Sequence, residues 1–178
     1  GRLLAALLER CSDVIPSVRS RALGGVATAL LALAGYNEGL EFLRKSVRCG
    51  DVAGRPLAQD QKCIDLKNLF HCAATDEKAF GRRAALSLFE ASVRLLRSSL
   101  GFDAEAVAAY FDLELLGRLA SDPSLMVRRA SIPALSMLLQ QCPLPRVCTL
   151  WAHHVLPLAL DAESSVVERA LEEVDTAV

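Results

Sequence analysis

The side chains with the most reactive chemistry stand close together in three places: His71-Cys72, His153-His154, and Cys142 with Cys148. Imidazole and thiolate are zinc ligands, and a Cys beside a His is the start of a nucleophile and base pair. The spacing works against both. Adjacent residues on a helix point about 100° apart, so neighbouring histidines cannot share an ion without a turn between them. A Cys–His nucleophile needs a third group to orient the base and a donor for the oxyanion, and nothing in the chain marks either. There is also no Gly-rich phosphate loop, no paired-carboxylate signature and no hydrolase elbow. The sequence thus predicts no catalysis, no metal, no cofactor and no small-molecule substrate. Cys11, Cys49, Cys63, Cys72, Cys142 and Cys148 lack the paired spacing of disulfide scaffolds. Cys11, Cys63, Cys72 and Cys142 lie in or beside apolar helical patterns and read as buried free thiols of a reducing compartment.

Charge offers a second kind of chemistry. The net charge of −1 conceals an asymmetry: the first hundred residues carry about +5 and the remainder about −6. Arg outnumbers Lys 16 to 4, and Arg is the better residue for ordered carboxylate or phosphate contacts. Arg44, Lys45 and Arg48 cluster close to Arg55 and could touch phosphate from a loop, against the plainer reading of a solvated helix face. Arg83 and Arg129 each follow another Arg and are the freer member of the pair for a phosphate or protein partner.

A third pattern recurs along the chain. An Asp is followed at plus five by a small or β-branched residue, at plus six by Arg, at plus nine by a small residue and at plus ten by an aliphatic one. From Asp13 the series reads Val18, Arg19, Ala22, Leu23, and from Asp76 it reads Gly81, Arg82, Ala85, Leu86. From Asp122 it reads Val127, Arg128, Ser131, Ile132, and from Asp161 it reads Val166, Val167, Ala170, Leu171, with the Arg missing. An Asp between two helices can accept backbone N–H bonds from the turn or the next helix start. The Arg can reach a carboxylate of its own or the adjacent repeat and fix the stacking register. Asp13, Arg19, Asp76, Arg82, Asp122, Arg128 and Asp161 are therefore expected to be structural.

The elements that must position these residues are helices. Each marker follows an apolar helical run, and a period near 40 residues marks a stacked helical array. The expected fold is all-α, an α-solenoid of stacked helix pairs. Repeats are expected over 1–34, 62–100, 101–141 and 142–178, with an insertion of a short helix and loop over 35–61. The chain reads as an excerpt of something longer, so the last repeat could be truncated. Leu40 to Val47 supplies the insertion's helix, while Gly50, Gly54 and Pro56 read as loop. Ile64 to Ala73 is expected to be the first helix of the second repeat, Val107 to Leu119 that of the third, and Pro133 to kink the helix after it. Gly24 and Gly25 would serve close approach of a neighbouring helix. No apolar run reaches about 18 residues without a charge, so no membrane span is expected.

Leu156-Pro157-Leu158 with Asp161, and Pro16-Ser17-Val18-Arg19 with Ala22-Leu23 after Asp13, resemble the HEAT repeat across nearly the whole chain outside the insertion. The runs from Cys11 to Leu23, Asp122 to Ala130 and Trp151 to Leu171 resemble the D-type HEAT subunit of condensin II more narrowly. That resemblance implies a non-catalytic scaffold in nuclei and on chromosomes. It would bind a kleisin and associate with SMC subunits, with DNA or histones as further partners, during mitotic chromosome condensation. The alternative is a HEAT scaffold of another assembly, such as a phosphatase, nuclear transport or coat adaptor, that binds protein only. Gly81 in place of the usual Val and Val167 in place of the usual Arg imply irregular stacking at the second and fourth repeats.

Overall fold

The computed structural model describes residues 2–48 and 63–177. Ten α-helices occur among them: α1 (Arg2–Arg10), α2 (Pro16–Ala34), α3 (Asn37–Ser46), α4 (Leu66–Ala74), α5 (Ala79–Arg94), α6 (Ala104–Tyr110), α7 (Leu113–Arg118), α8 (Leu125–Gln141), α9 (Pro145–Val155) and α10 (Ser164–Ala177). The fold is all-α, as the periodicity predicts. Pro16 and Pro145 stand in the first turns of α2 and α9, where a missing N–H leaves no hydrogen bond unmade. Asp65, Asp103 and Asp112 cap α4, α6 and α7, accepting from the amides of Asn68, Ala106 and Leu115 at 2.9, 2.7 and 3.0 Å. Each cap satisfies one of the donors that a helix start leaves open.

The helices form two layers. The second helix of each pair packs along the next, α2 on α5, α5 on α8 and α8 on α10, while α4 meets α7 and α7 meets α9 in the other layer. Small side chains at plus nine allow this approach: Ala22, Ala85, Ser131 and Ala170 are all buried. At plus ten Leu23, Leu86 and Ile132 are buried as expected, but Leu171 is 48% exposed. It lies on a face of α10 that no other described helix covers. Phe70, Phe89 and Phe111 meet at the centre, with ring centroids 4.9 to 5.7 Å apart and two of the three pairs edge-to-face.

Several elements depart from the sequence expectation. Ile64 is extended and bridges Val47 in parallel, and with Asp65 as its cap α4 starts two residues later, at Leu66. The first helix of the third repeat is broken into α6 and α7, since Phe111 is extended and Asp112 opens a new helix. Pro133 lies inside α8, which is helical on both sides of it. A π-helical turn over Leu95–Ser99 extends α5, and Arg97 secures it by donating to the carbonyls of Phe102 at 2.7 Å and Gln141 at 3.0 Å. A side chain at Gly25 would meet Leu7 of α1 at 2.9 Å, the expected close approach, whereas Gly24 has nothing within 4 Å. The short helix expected from Leu40 to Val47 is α3, Asn37–Ser46, packed on α2. Gly50, Gly54, Pro56, Cys49 and Arg55 lie outside the described residues.

Candidate functional site

The Asp–Arg spacing resolves into a ladder between repeats. Arg19 donates from Nε and Nη2 to both carboxylate oxygens of Asp76 at 2.9 and 3.1 Å. Arg82 does the same to Asp122 at 2.6 and 2.9 Å, and Arg128 to Asp161 at 2.7 and 2.9 Å. The third nitrogen, Nη1, turns back onto the arginine's own turn. It donates to the carbonyls of Asp13 and Val14 from Arg19, of Asp76 and Glu77 from Arg82, and of Asp122 and Pro123 from Arg128, at 2.9 to 3.3 Å. One guanidinium thus ties two successive turns together, using the planar fork that Lys lacks. Each Asp also accepts the amide two residues on, Ile15, Lys78, Ser124 or Glu163, at 2.8 to 3.0 Å.

The ladder is largely withdrawn from water. Asp76, Asp122 and Asp161 side chains are 5 to 8% exposed and their arginines 16 to 19%. Burial pushes the Asp122 carboxyl up, but hydrogen bonds from Arg82 and the Ser124 amide outweigh it and leave it ionising below the usual carboxylate range. Asp76 shows the same balance with Arg19 and Lys78. Asp161 is held low first by Arg128, and the three arginines are raised by the same bonds. Asp13 is held low by the Ile15 amide and then by Arg10 at the end of α1, which donates at 2.9 Å. The expected irregularity at the second repeat does not reach these contacts. A side chain at Gly81 would strike the Asp76 carboxylate, so Gly there makes room for it, and the bridge keeps the common form.

The basic candidates are placed differently. Arg44 and Lys45 both face Glu41, at 4.0 and 3.2 Å, and Arg48 lies 3.9 Å from Asp65. All three are exposed, but each has a carboxylate beside it, so this stretch carries less free positive charge than its composition implies. The i−3 and i−4 spacing of Glu41 is the sequence signal for that pairing. Arg83 and Arg129 are exposed at matching positions of α5 and α8, seven residues after their Asp markers, and Arg83 Nη1 lies 3.8 Å from Met126 Sδ.

The reactive side chains do not assemble. Among the described residues no group of three or more His, Cys, Asp or Glu could hold a metal ion. Cys142 is buried, whereas Cys72 is exposed, contrary to its apolar setting in the sequence. His154 lies against Gly117 of α7, where burial and then His153 push its pKa down. An open groove of about 490 Å³ separates α1 from α4, lined by Leu4, Leu8, Phe42, Ile64 and Leu69 with Asp65 at its wall. No described helix is long and apolar enough to cross a membrane.

No known family profile matches the chain. It is 32% identical over 170 residues to the condensin-2 complex subunit CAP-D3 of Arabidopsis thaliana, a match that takes in 92% of this chain and 11% of that protein. The chain therefore spans about a tenth of the curated relative it resembles, a condensin-2 subunit.

Proposed function

We propose that this chain is a non-catalytic HEAT-repeat scaffold segment of a condensin II complex. In this reading it binds a kleisin, associates with the SMC subunits and meets chromatin, as DNA or histones, during mitotic chromosome condensation in the nucleus. The observation that carries the reading is the 32% identity maintained over 92% of the chain. The bidentate ladder supports it, since an array locked in register presents a long, preformed surface to macromolecules. The scaffold works by binding alone and uses no cofactor, small-molecule substrate or membrane. Arg44, Lys45, Arg48, Arg83 and Arg129 are the side chains proposed for phosphate or partner contact, and the seven ladder residues for register.

The test is purification of the natural-length protein from dividing cells, with its bound subunits identified by mass. Recovery of a kleisin and an SMC pair is the expected result. Recovery of a phosphatase, nuclear transport or coat complex in their place refutes the condensin reading and selects the protein-only scaffold.

A further inference from the structure

One edge of the array, where α5 and α8 begin, carries charge that the fold leaves unanswered. Arg82 and Arg128 are committed to the ladder, but Arg83 and Arg129 are exposed and form no ion pair among the described residues. Apolar side chains share the same first turns. Phe80 stands three residues before Arg83 and Leu125 four before Arg129, spacings that make neighbours on a helix surface. Phe80 is 39% exposed and Leu125 42%. The row is continuous between repeats: the Ser20 hydroxyl of α2 donates to the Phe80 carbonyl at 3.1 Å, and Arg83 meets Met126 of α8. From Ser20 to Arg129 it crosses two helix-to-helix steps, about 20 Å. That is the reach of roughly six residues of extended chain.

We propose that this row docks an extended, acidic segment of a partner protein, with carboxylates two or three residues apart meeting Arg83 and Arg129 and apolar side chains lying on Phe80, Leu125 and Met126. The composition selects protein over nucleic acid. Aromatic residues, Met and Arg are the types enriched where proteins meet, while phosphate backbones are met by cations and polar donors. Glu77 and Glu163 are exposed on turns of the same edge and would repel a continuous phosphate track. The forked guanidiniums suit carboxylates held side-on, as the ladder shows three times over. The insertion's Arg44, Lys45 and Arg48 take no part, because Glu41 and Asp65 already face them.

The inference does not depend on which assembly holds the chain, and its test is separate from subunit recovery. The natural-length protein carrying Phe80→p-benzoylphenylalanine is irradiated in dividing cells, and the crosslinked partner peptide is sequenced. The expected product is a protein segment with at least two Asp or Glu within about six residues. Its yield falls at least tenfold with Arg83→Glu and Arg129→Glu together, by an intermediate amount with Arg83→Gln and Arg129→Gln, and less than twofold with Lys67→Glu and Arg118→Glu, exposed cations of α4 and α7. Crosslinking to nucleic acid overturns the proposal, as does a segment without carboxylates. So does a yield that neither Arg pair changes, or one no higher than from the probe placed at Thr28 on the exposed side of α2.

Discussion

Replacing Arg82 by Met keeps the aliphatic stem and removes the fork. The loss includes two charge-assisted bonds to Asp122, at 2.6 and 2.9 Å, and two bonds to the carbonyls of Asp76 and Glu77. What remains is a carboxylate with a 5% exposed side chain, held only by the Ser124 amide. Breaking a buried pair by removing one partner costs about 3–5 kcal/mol, and an exposed pair is worth about 0–1. Arg82 is itself 17% exposed, so water reaches the gap and the cost falls near the lower end, about 3 kcal/mol. Arg146→Met supplies the comparison, since its pair with Glu105 is 47% and 67% exposed and should cost under about 1 kcal/mol. Urea unfolding followed by circular dichroism and by fluorescence of Trp151, the chain's one Trp, reads both. Asp122→Asn in the Arg82→Met background should cost less than it does alone, because the charge it removes is no longer paired. If Arg82→Met and Arg146→Met cost the same, within about 0.5 kcal/mol, the ladder is surface decoration and the argument from burial fails.

Three further outcomes follow from the same structure. Asp76, Asp122 and Asp161 ionise below the usual range when folded, so the unfolded chain binds more protons in acid. Their contribution is whole above about pH 4 and is lost as pH falls through the folded values. His154, also lowered, adds a loss that begins below about pH 6.5, so the melting temperature against pH should fall in two steps. Ser136→Ala strips the buried Trp151 indole N–H of its 2.9 Å acceptor and should cost about 1–3 kcal/mol by urea unfolding, with a shift in Trp emission. A thiol reagent at neutral pH should label exposed Cys72 and Cys148 first and Cys142 only on unfolding, with Cys11, pushed up to about 11 by burial, slower than the exposed pair.

The helical class and the repeat period are legible in the chain because buried positions recur with the helix. The destination of the ladder arginines is not. Their partners lie 57, 40 and 33 residues away, and a bridge within a repeat is as compatible with plus-six spacing as one between repeats. Only the stacking decides. The break between α6 and α7 is hidden because Phe111, Leu115 and Leu116 stay buried on both sides of it, leaving the apolar pattern unbroken. Its one local signal is Asp112, three residues before the amide it caps. Pro133 removes one helix N–H, yet α8 runs on past it, buried along Val127, Ile132, Leu135 and Leu138. The exposed row at the start of α5 is invisible for a different reason. Phe80 and Leu125 look like core residues until neighbouring repeats are stacked and leave them outside.

The end of the ladder has a consequence for dynamics. Each arginine holds its own turn and the next, so the turns at Asp76 and Asp122 are each gripped twice, once by their own Arg and once by the Arg before. The turn at Asp161 is gripped once, because Val167 stands where its own arginine would be. Among the described residues Leu171 of α10 is left 48% exposed, whereas α5 is covered by α2, α4 and α8. Both differences act in the same direction, toward local opening at lower free energy. Amide hydrogen exchange should therefore be slowest along α5, faster along α8 and fastest of the three along α10. Asp122→Asn should speed exchange at the starts of α5 and α8 together, since one guanidinium joins their turns. Acceleration confined to the α8 side, with the α5 turn unchanged, would show that Nη1 and Nε hold their partners independently and that the ladder does not couple adjacent repeats.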